Sequence, residues 1–407
     1  MDNSIKDIWY RFTNYKKLYW PLNAILFNLL RLLTIRDKEL WVFGALGGNL
    51  YEDNSKFLFE YVNNKAKGIV RVVWLTRNEE EIKRIRGLGF EAYSFGSWRG
   101  IKLALKAGVA FYTHGLDDFG HFPLIGGATI YCLWHGFSFK RIYNSNYVGV
   151  KATLKKIADA IFNWVYRDYS MVTSEYTKAQ FISEFGIKDA NSIIVTGQPR
   201  NDALFKSIDK EDVLGADLVR RINGRKIILY MPTYRRSKKN IVEEMISRLI
   251  DNIELNNYLS DNNYLMLIKL HPLTPSFKIS SNDNFILLSY SNLSQNQALL
   301  PLGDMLITDY SGVFVDFALL RRPIIFYSPQ DEIFNKYAEK QENDFEYVSN
   351  MCKAENLQEL VGLLKEPNVK MVDVINEYFS DPKLENTCFC ENVYNAVASI
   401  ENRNKEC

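Results

Sequence analysis

Residues Leu306 to Pro329 read LITDYSGVFVDFALLRRPIIFYSP. The pattern predicts a short buried strand, a polar turn, a helix ended by Pro323 and a second strand. Asp309 and Ser311 are residue types that cap helix N-termini, so the turn should present backbone N–H groups where the strand ends. Such a unit is suited to bind a phosphate group. The same residues would also serve as helix caps without any ligand.

Predicted strands alternate with predicted helices along the rest of the chain. A first series of strands runs from Leu40–Leu46 to Ser192–Thr196, and a second runs from Lys226–Tyr230 to Ile324–Tyr327. This alternation indicates parallel sheets that carry helices on both faces. The sequence therefore predicts an α/β protein of two doubly wound, Rossmann-like domains that face each other across a central cleft.

The predicted domain boundaries follow from where this alternation starts and restarts. We predict an amphipathic helical segment over residues 1–36, an α/β domain over 37–205, a second α/β domain over 206–370, and a helical tail over 371–407. The tail is expected to brace the first domain. In a chain of 407 residues, each α/β domain is long enough to bury its own core.

The N-terminal segment combines the interrupted apolar run Leu18–Leu33 with aromatic and basic residues. The run is too short and too often broken by polar residues to predict a membrane-spanning helix. The cations of the segment are Lys6, Arg11, Lys16, Lys17, Arg31 and Arg36. This composition suits the surface of an anionic membrane, so a peripheral location is expected. Packing of the segment on the protein's own body is the alternative, and the sequence leaves both open.

Charge and cysteine content narrow the class of protein further. A net charge of +2 argues against a protein held on nucleic acid by bulk electrostatics. Cys388 and Cys390 are separated by one residue, which is poor spacing for zinc, and the two histidines His114 and His121 by themselves make a poor metal site. We therefore predict no metal site and no cofactor.

Five polar clusters follow predicted strands, at the edge where parallel sheets bind their ligands. They are Trp134 to Lys140, Thr196 to Asp202, Met231 to Arg236, Lys269 to Pro272 and Thr308 to Gly312. Each cluster alone is a weak signal. Together they predict one shared site.

In this order, the clusters resemble the motifs of the CDP-glycerol glycerophosphotransferase family of teichoic-acid and capsule enzymes. The matching residues are His135-Gly136 with Lys140, GQPRND from Gly197 to Asp202, PTYR from Pro232 to Arg235, His271-Pro272, and TDYS from Thr308 to Ser311. The resemblance implies a GT-B-like fold, in which the first domain binds the acceptor and the second binds the nucleotide donor. One departure is Phe-Ser-Phe before Lys140, where the family often has Thr-Pro-Leu.

The resemblance also implies the reaction and its partners. An alditol phosphate, with glycerol phosphate as the leading candidate, would pass from CDP-glycerol or a related CDP-alditol to a hydroxyl. The acceptor would be a polyprenol-linked or polymeric glycan, CMP would leave, and the enzyme would work at the cytoplasmic face of the membrane. The alternatives are a GT-B glycosyltransferase that uses a nucleotide sugar, and an inactive membrane-associated binding protein in polysaccharide assembly.

The roles implied for single residues fall into three groups. The catalytic group is His135, His271 and Asp309, with His135 as the base because an imidazole titrates near neutral pH. The donor-binding group is Arg200, Asp202, Pro232, Thr233, Arg235, His271, Thr308, Ser311 and Gly312. The acceptor-side group is Gly136, Lys140 and His114.

Structural roles compete with several of these assignments. His135 would also fit a buried histidine held by hydrogen bonds, and Arg200 and Asp202 would also fit a turn into a helix. Asp309 either orients His271 or caps its helix. Asp316, on the following helix, is expected to be a solvated or capping carboxylate.

Overall fold

The fold is given by a computed structural model that describes residues 25–26, 29–30, 33–120, 124–137, 167–233, 240–270, 274, 277, 282–288, 296–309, 311–329 and 343–406. These residues form two compact units. Of the described residues, the first unit holds those up to His135, those from 167 to 200, and those from Leu384 onward. The second holds Gly136, Phe137 and the described residues from Asn201 to Lys383.

The first unit is built on a parallel sheet whose seven described strands lie in the order β3-β2-β1-β4-β5-β6-β7. The strands are β1 (Asp37–Phe43), β2 (Arg71–Thr76), β3 (Ala92–Ser94), β4 (Ala107–Tyr112), β5 (Thr129–Cys132), β6 (Tyr169–Val172) and β7 (Ile193–Val195). The strand order reverses between β1 and β4, which pair directly. Such a reversal opens a crevice at the carboxyl ends of the two strands, where α/β folds bind ligands.

Apolar strands explain why this sheet lies in the middle of its unit. All residues of β4 are buried, as expected for a strand covered on both faces. Phe111 of β4 stacks on Phe43 of β1 with ring centroids 4.4 Å apart, and on Tyr131 of β5 at 5.3 Å. Helices α1 (Asp53–Lys65), α2 (Glu79–Gly87), α3 (Trp98–Lys106) and α4 (Glu175–Phe185) connect the strands.

The second unit repeats the architecture with a sheet of six described strands in the order β10-β9-β8-β11-β12-β13. They are β8 (Lys226–Met231), β9 (Tyr264–Lys269), β10 (Phe285–Leu288), β11 (Met305–Thr308), β12 (Ile324–Tyr327) and β13 (Lys353–Ala354). The helices are α5 (Lys210–Leu214), α6 (Ala216–Ile222), α7 (Asn240–Ile250), α8 (Ile253–Asp261), α9 (Asn296–Leu299), α10 (Val313–Ala318), α11 (Asn343–Asn350), α12 (Leu357–Lys365) and α13 (Lys370–Phe379). The order reverses between β8 and β11, which places a second crevice there.

The C-terminal helix α14 (Phe389–Glu406) belongs to the first unit. Val393 and Val397 lie in its hydrophobic core, and Glu401 accepts a hydrogen bond of 2.7 Å from the hydroxyl of Tyr131. The predicted tail over 371–407 is therefore divided, because α13 packs in the second unit and α14 in the first. The chain passes between the units after Arg200, five residues before the predicted boundary at 205.

Arg36 corrects one expectation for the N-terminal segment. Its guanidinium donates hydrogen bonds to the carbonyls of Ala104 at 2.8 Å, Leu124 at 3.3 Å and Gly126. Burial lowers the pKa of Arg36 to about 10. Arg36 therefore ties the chain to the first unit and is not part of a basic surface. In the described part of the chain, no helix has the length and apolar content needed to cross a bilayer.

Candidate functional site

His135 lies just after β5 in a turn with unusual backbone geometry. Trp134 has φ +55°, and Gly136 has φ +152°, a region that side chains other than glycine rarely adopt. Left-handed geometry costs free energy at a tryptophan, and such strain clusters at functional sites. The turn therefore directs the imidazole of His135 away from the line of the strand.

The hydrogen bond of His135 decides which of its ring nitrogens is free. Its Nδ1 lies 3.0 Å from the backbone carbonyl oxygen of Thr113. A carbonyl oxygen only accepts, so Nδ1 carries the proton and donates it. In the neutral ring, Nε2 then holds the lone pair. Because the side chain also reaches solvent, the geometry fits a general base.

His114, which follows β4, lies directly against His135. The two rings are 4.0 Å apart between centroids and inclined by 13°. The Nδ1 of His114 is 2.8 Å from the hydroxyl of Thr113. The structure thus brings the predicted acceptor-side histidine beside the predicted base.

Both histidines are held in the neutral state at neutral pH. Desolvation is the main cause that lowers the pKa of His135 to about 4, and repulsion from His114 lowers it further, against the opposing charge of Asp53. Desolvation also lowers the pKa of His114. A neutral His135 has its lone pair available to take a proton.

Arg200 and Asp53 form an ion pair that supports this turn. The Nη1 of Arg200 donates to Asp53 at 2.9 Å and to the carbonyl of His135 at 2.8 Å. Desolvation alone would raise the pKa of Asp53, but the charge of Arg200 is the largest of several effects that together lower it. The predicted donor-binding Arg200 therefore lies in the same unit as the predicted base and holds its backbone.

Two further buried side chains complete the cluster. Asn54 donates to the carbonyl of Trp134 at 2.9 Å and accepts from the backbone N–H of Arg200 at 3.1 Å. Asp118 accepts backbone N–H bonds from Gly47 at 2.6 Å, Thr113 at 2.9 Å and His114 at 3.0 Å. Its desolvation raises its pKa to about 6, although these bonds oppose the shift. Asp118 thereby ties the loop after β1 to the loop that carries His114.

Sequence reasoning missed Asp53, Asn54 and Asp118. Two signals were available: the polar run from Glu52 to Asn54 precedes α1 in the loop that follows β1, and Asp118 lies between Gly115 and Gly120 after β4. Both loops end at the point where the strand order reverses. Topology, rather than residue type, marks them as part of the site.

In the second unit, the predicted donor-binding residues Thr233 and Thr308 and the predicted catalytic residue Asp309 come together at the ends of β8 and β11. The carboxylate of Asp309 accepts from the backbone N–H of Thr233 at 2.8 Å and from its hydroxyl at 2.5 Å. The hydroxyl of Thr308 donates to the carbonyl of Met231 at 2.7 Å. Thr308 and Asp309 are almost fully buried, so these bonds fasten the two strand ends together.

Two expectations for α10 are corrected. The helix starts at Val313 and its N-cap is Gly312. Asp309, which was one of the expected caps, instead accepts a hydrogen bond from Thr233. Asp316 is buried and accepts bonds from Asn201 at 2.9 Å and Gln297 at 3.0 Å. It was expected to be solvated or capping because the sequence does not show which helix face turns inward.

The remaining predicted residues are placed as follows. Ser311, Gly312 and Asp202 are partly exposed, and Pro232 is buried beside Thr233. A Cβ atom on Gly312 would lie 3.0 Å from the carbonyl oxygen of Phe137, so Gly136 and Phe137 run close to the start of α10. Lys140, Arg235 and His271 lie outside the described residues, as does His121. Among the described residues, no group of three His, Cys, Asp or Glu side chains is arranged to hold a metal.

Comparison with known proteins identifies the family. The family described as CDP-Glycerol:Poly(glycerophosphate) glycerophosphotransferase matches residues 25–375 of this chain. The chain belongs to this glycerophosphotransferase family. The predicted family and the predicted class of enzyme are thereby confirmed, and so is polyol-phosphate transfer from a CDP-linked donor as the class of chemistry.

Curated members of the glycerophosphotransferase family are similar over most of the chain. A teichoic acid poly(glycerol phosphate) polymerase of Bacillus spizizenii is 28% identical over 331 residues, which is 79% of this chain and 81% of the relative. A teichoic acid glycerol-phosphate transferase of Staphylococcus aureus is 28% identical, covering 72% and 74%. A poly(ribitol-phosphate) polymerase of B. spizizenii is 24% identical, covering 90% of this chain and 57% of its own length.

Solved structures show the fold of the family. A structure of the wall teichoic acid polymerase TagF superposes with a TM-score of 0.71 at 20% identity, covering 99% of this chain and 98% of the TagF chain. A structure of S. aureus MnaA with UDP has a TM-score of 0.53 at 10% identity, covering 90% and 97%. The predicted GT-B-like fold of two parallel α/β units is confirmed. The roles assigned to single residues stay predictions, as does the central cleft.

Proposed function

We propose that this chain transfers glycerol phosphate from CDP-glycerol to a hydroxyl at the end of a polymeric or polyprenol-linked glycan, with release of CMP. The reaction serves the synthesis of a teichoic-acid or capsule-type polymer at the cytoplasmic face of the membrane. The observation that carries this proposal is the tautomer of His135, whose Nδ1 donates to Thr113 and leaves Nε2 as a free base.

The chemistry is a displacement at phosphorus. The acceptor oxygen attacks the phosphorus that carries glycerol, a new P–O bond forms, and the bond to the oxygen of CMP breaks. The acceptor proton passes to Nε2 of His135, and the electron pair of the broken bond leaves with CMP. A positioned general base of this kind contributes about 10² to 10⁴ in rate.

The residues around His135 serve this step in different ways. Arg200 holds the carbonyl of His135 at 2.8 Å, and its partner Asp53 keeps that guanidinium in place. Because Asp53 is negatively charged near the ring, it also stabilises the imidazolium that forms when the proton arrives. The first unit thus provides the base together with the groups that orient and stabilise it.

Negative charge develops on the phosphate of the departing CMP, and it requires positive charge or N–H donors nearby. Arg235 and His271 are the proposed donor-side groups, on the strength of their positions in the family motifs. Ser311 and Gly312, partly exposed at the start of α10, are proposed to contact the same phosphates. The fastened ends of β8 and β11 hold this region in place.

The test is CMP release by the purified chain. CDP-glycerol, CDP-ribitol and a panel of nucleotide sugars are each incubated with a lipid-linked acceptor that ends in glycerol phosphate, and the nucleotide products are measured by chromatography. We expect CMP from CDP-glycerol, and release about a thousandfold slower from a His135→Ala variant that retains the wild-type melting temperature. Release from neither CDP-alditol contradicts the proposal. Faster CMP release from CDP-ribitol than from CDP-glycerol would identify CDP-ribitol as the donor. Turnover of a nucleotide sugar would favour the glycosyltransferase alternative.

We also propose that the N-terminal segment binds an anionic membrane surface. Four large apolar side chains in its described part are exposed: Ile25, Leu29, Leu33 and Ile35. The first three follow helical spacing of four residues, which places them along one face. A chain lacking residues 1–33, which retains the Arg36 anchor, should lose flotation with phosphatidylglycerol vesicles. Unchanged flotation would contradict membrane binding by this segment, and phosphatidylcholine vesicles are the control.

A further inference from the structure

We infer that His114 binds the hydroxyl next to the attacking hydroxyl, so that His114 and His135 together form a subsite for the vicinal diol at an alditol end. The inference rests on the proposed function, because it concerns the acceptor of that reaction. It adds a residue that determines acceptor specificity and names the chemical group that this residue recognises.

The first observation is that one residue anchors both rings. Thr113 accepts from Nδ1 of His135 through its carbonyl oxygen at 3.0 Å, and its hydroxyl lies 2.8 Å from Nδ1 of His114. In an imidazole, Nε2 points away from the group that Nδ1 contacts. Because Nδ1 of each ring contacts Thr113, the Nε2 atom of each ring lies on the side away from that contact, and the rings themselves are stacked with centroids 4.0 Å apart.

The second observation is that both side chains reach solvent. The pKa of each imidazole is lowered, so both rings are mainly neutral at neutral pH. Two neutral nitrogens side by side match two neighbouring hydroxyl groups. The rings are separated by 4.0 Å, and hydrogen-bonded oxygen atoms are typically about 2.8 Å from their partners, so two nearly parallel bonds can join the pair to a diol. A glycerol unit attached through one terminal carbon keeps two such hydroxyls on adjacent carbons.

The surroundings of the two rings divide the work between them. His135 faces a carbonyl, which fixes its tautomer and makes it the base. His114 faces the hydroxyl of Thr113, which can donate or accept and also lies 3.4 Å from Asp118. The Nε2 of His114 is therefore free to accept from, or donate to, a hydroxyl that keeps its proton. That adaptability suits a binding group beside the reacting one.

A purely structural role for His114 would be to stack on His135. Three variants separate the two roles. His114→Phe keeps a flat ring but has no nitrogen, and His114→Gln places a terminal amide near the position of Nε2. His114→Asn keeps a polar group only near the position of Nδ1, next to Thr113. Thermal unfolding midpoints close to that of the wild type establish that each variant is folded.

The experiment compares two synthetic lipid-linked acceptors, one ending in glycerol and the other in propane-1,3-diol, which lacks the secondary hydroxyl. The measured quantity is kcat/KM for CMP release from CDP-glycerol. We expect the wild type to prefer the glycerol end at least tenfold. In His114→Phe and His114→Asn the preference should fall below about twofold, because only the glycerol-ended reaction slows. His114→Gln should retain most of the preference.

Each other outcome contradicts a defined statement. An equal loss on both acceptors in His114→Phe overturns the diol subsite and leaves His114 as a positioning residue. If the wild type has the same kcat/KM with the glycerol-ended and the propane-1,3-diol-ended acceptor, the diol subsite is overturned directly. A wild type that releases no CMP with either acceptor overturns the proposed function, and the inference falls with it.

Discussion

The polar residues that follow the central strands differ in exposure between the two units. After β4 and β5 of the first unit, His114 and His135 are exposed. After β8 and β11 of the second, the described polar residues Thr308 and Asp309 are buried and bond to neighbouring backbone or side chains. The same position in an α/β unit thus carries exposed imidazoles in one case and buried, hydrogen-bonded side chains in the other.

The difference shows that a polar residue at a strand end is not by itself evidence of a catalytic role. In the first unit, Asp118 is buried and accepts bonds from three backbone N–H groups, whereas His114 and His135 are exposed. In the second, the carboxylate of Asp309 accepts hydrogen bonds from the backbone N–H and the hydroxyl of Thr233. Which groups remain accessible after such bonds are made decides which side chains can react.

The largest effect is expected at His135. His135→Ala removes the base and should lower kcat about a thousandfold, since general bases contribute about 10² to 10⁴ in rate. Steady-state kinetics of CMP release measure the loss. The melting temperature should stay near that of the wild type, because the side chain reaches solvent. A variant with full activity would remove His135 from the mechanism and erase the contrast between the units.

A stability effect without a matching catalytic effect is expected at Asp316. Asp316→Ala leaves the amides of Asn201 and Gln297 without their buried acceptor, which should lower the free energy of unfolding by about 3 kcal/mol. Urea unfolding measures the loss. The control is Asp373→Ala, which removes a surface ion pair with Arg321 and should change stability by less than about 1 kcal/mol. A loss of less than about 1 kcal/mol at Asp316, as in the control, would contradict a stabilising role for this buried network.

A smaller loss of stability is expected at Thr233. Thr233→Val removes the hydroxyl bond to Asp309 and should cost about 1 to 2 kcal/mol in the free energy of unfolding. Thr233→Ser keeps the hydroxyl and should cost less. If the valine variant were as stable as the serine variant but had lost activity, Thr233 would act on the ligand, and the second unit would resemble the first.

The smallest effect concerns pH. The pKa of His135 is lowered to about 4, so the folded protein keeps this ring neutral until the pH falls far below 6.5, the usual value. At pH 5.5, about a tenth of an ordinary histidine would be neutral, whereas His135 should remain almost wholly so. NMR of ring-labelled histidines measures the titration directly, and the chain has only four.

This NMR measurement also separates His135 from its titrating neighbours. The His135→Ala variant assigns the signal, and following a ring resonance avoids confusion with the carboxyl of Asp118, whose pKa is raised to about 6. His114, Asp53 and Arg200 act on the same ring, so the midpoint reports their combined influence. A midpoint at or above 6.5 would contradict the lowered pKa of this ring.

Most of the fold could be predicted because buried parallel strands leave a continuous apolar pattern. The strand Met305–Thr308 has the predicted bounds, as does Ile324–Tyr327. The first strand ends at Phe43 instead of Leu46, because Gly44 lies against the carbonyl of Asp118, where a Cβ atom would come within 2.6 Å. The strands β3 and β13 were missed because they have only three and two residues, which is too short to show an apolar pattern.

The sequence by itself determined the two α/β units and the family motifs, and it predicted His135 as the base, since apolar periodicity and motif order are local properties of the chain. Only the tertiary structure decided which residues surround that base. It set His114 on the ring of His135 and brought Arg200 to Asp53, 147 positions earlier. Distances of this kind depend on strand order, and one sequence does not reveal which loops a reversal of strand order brings together.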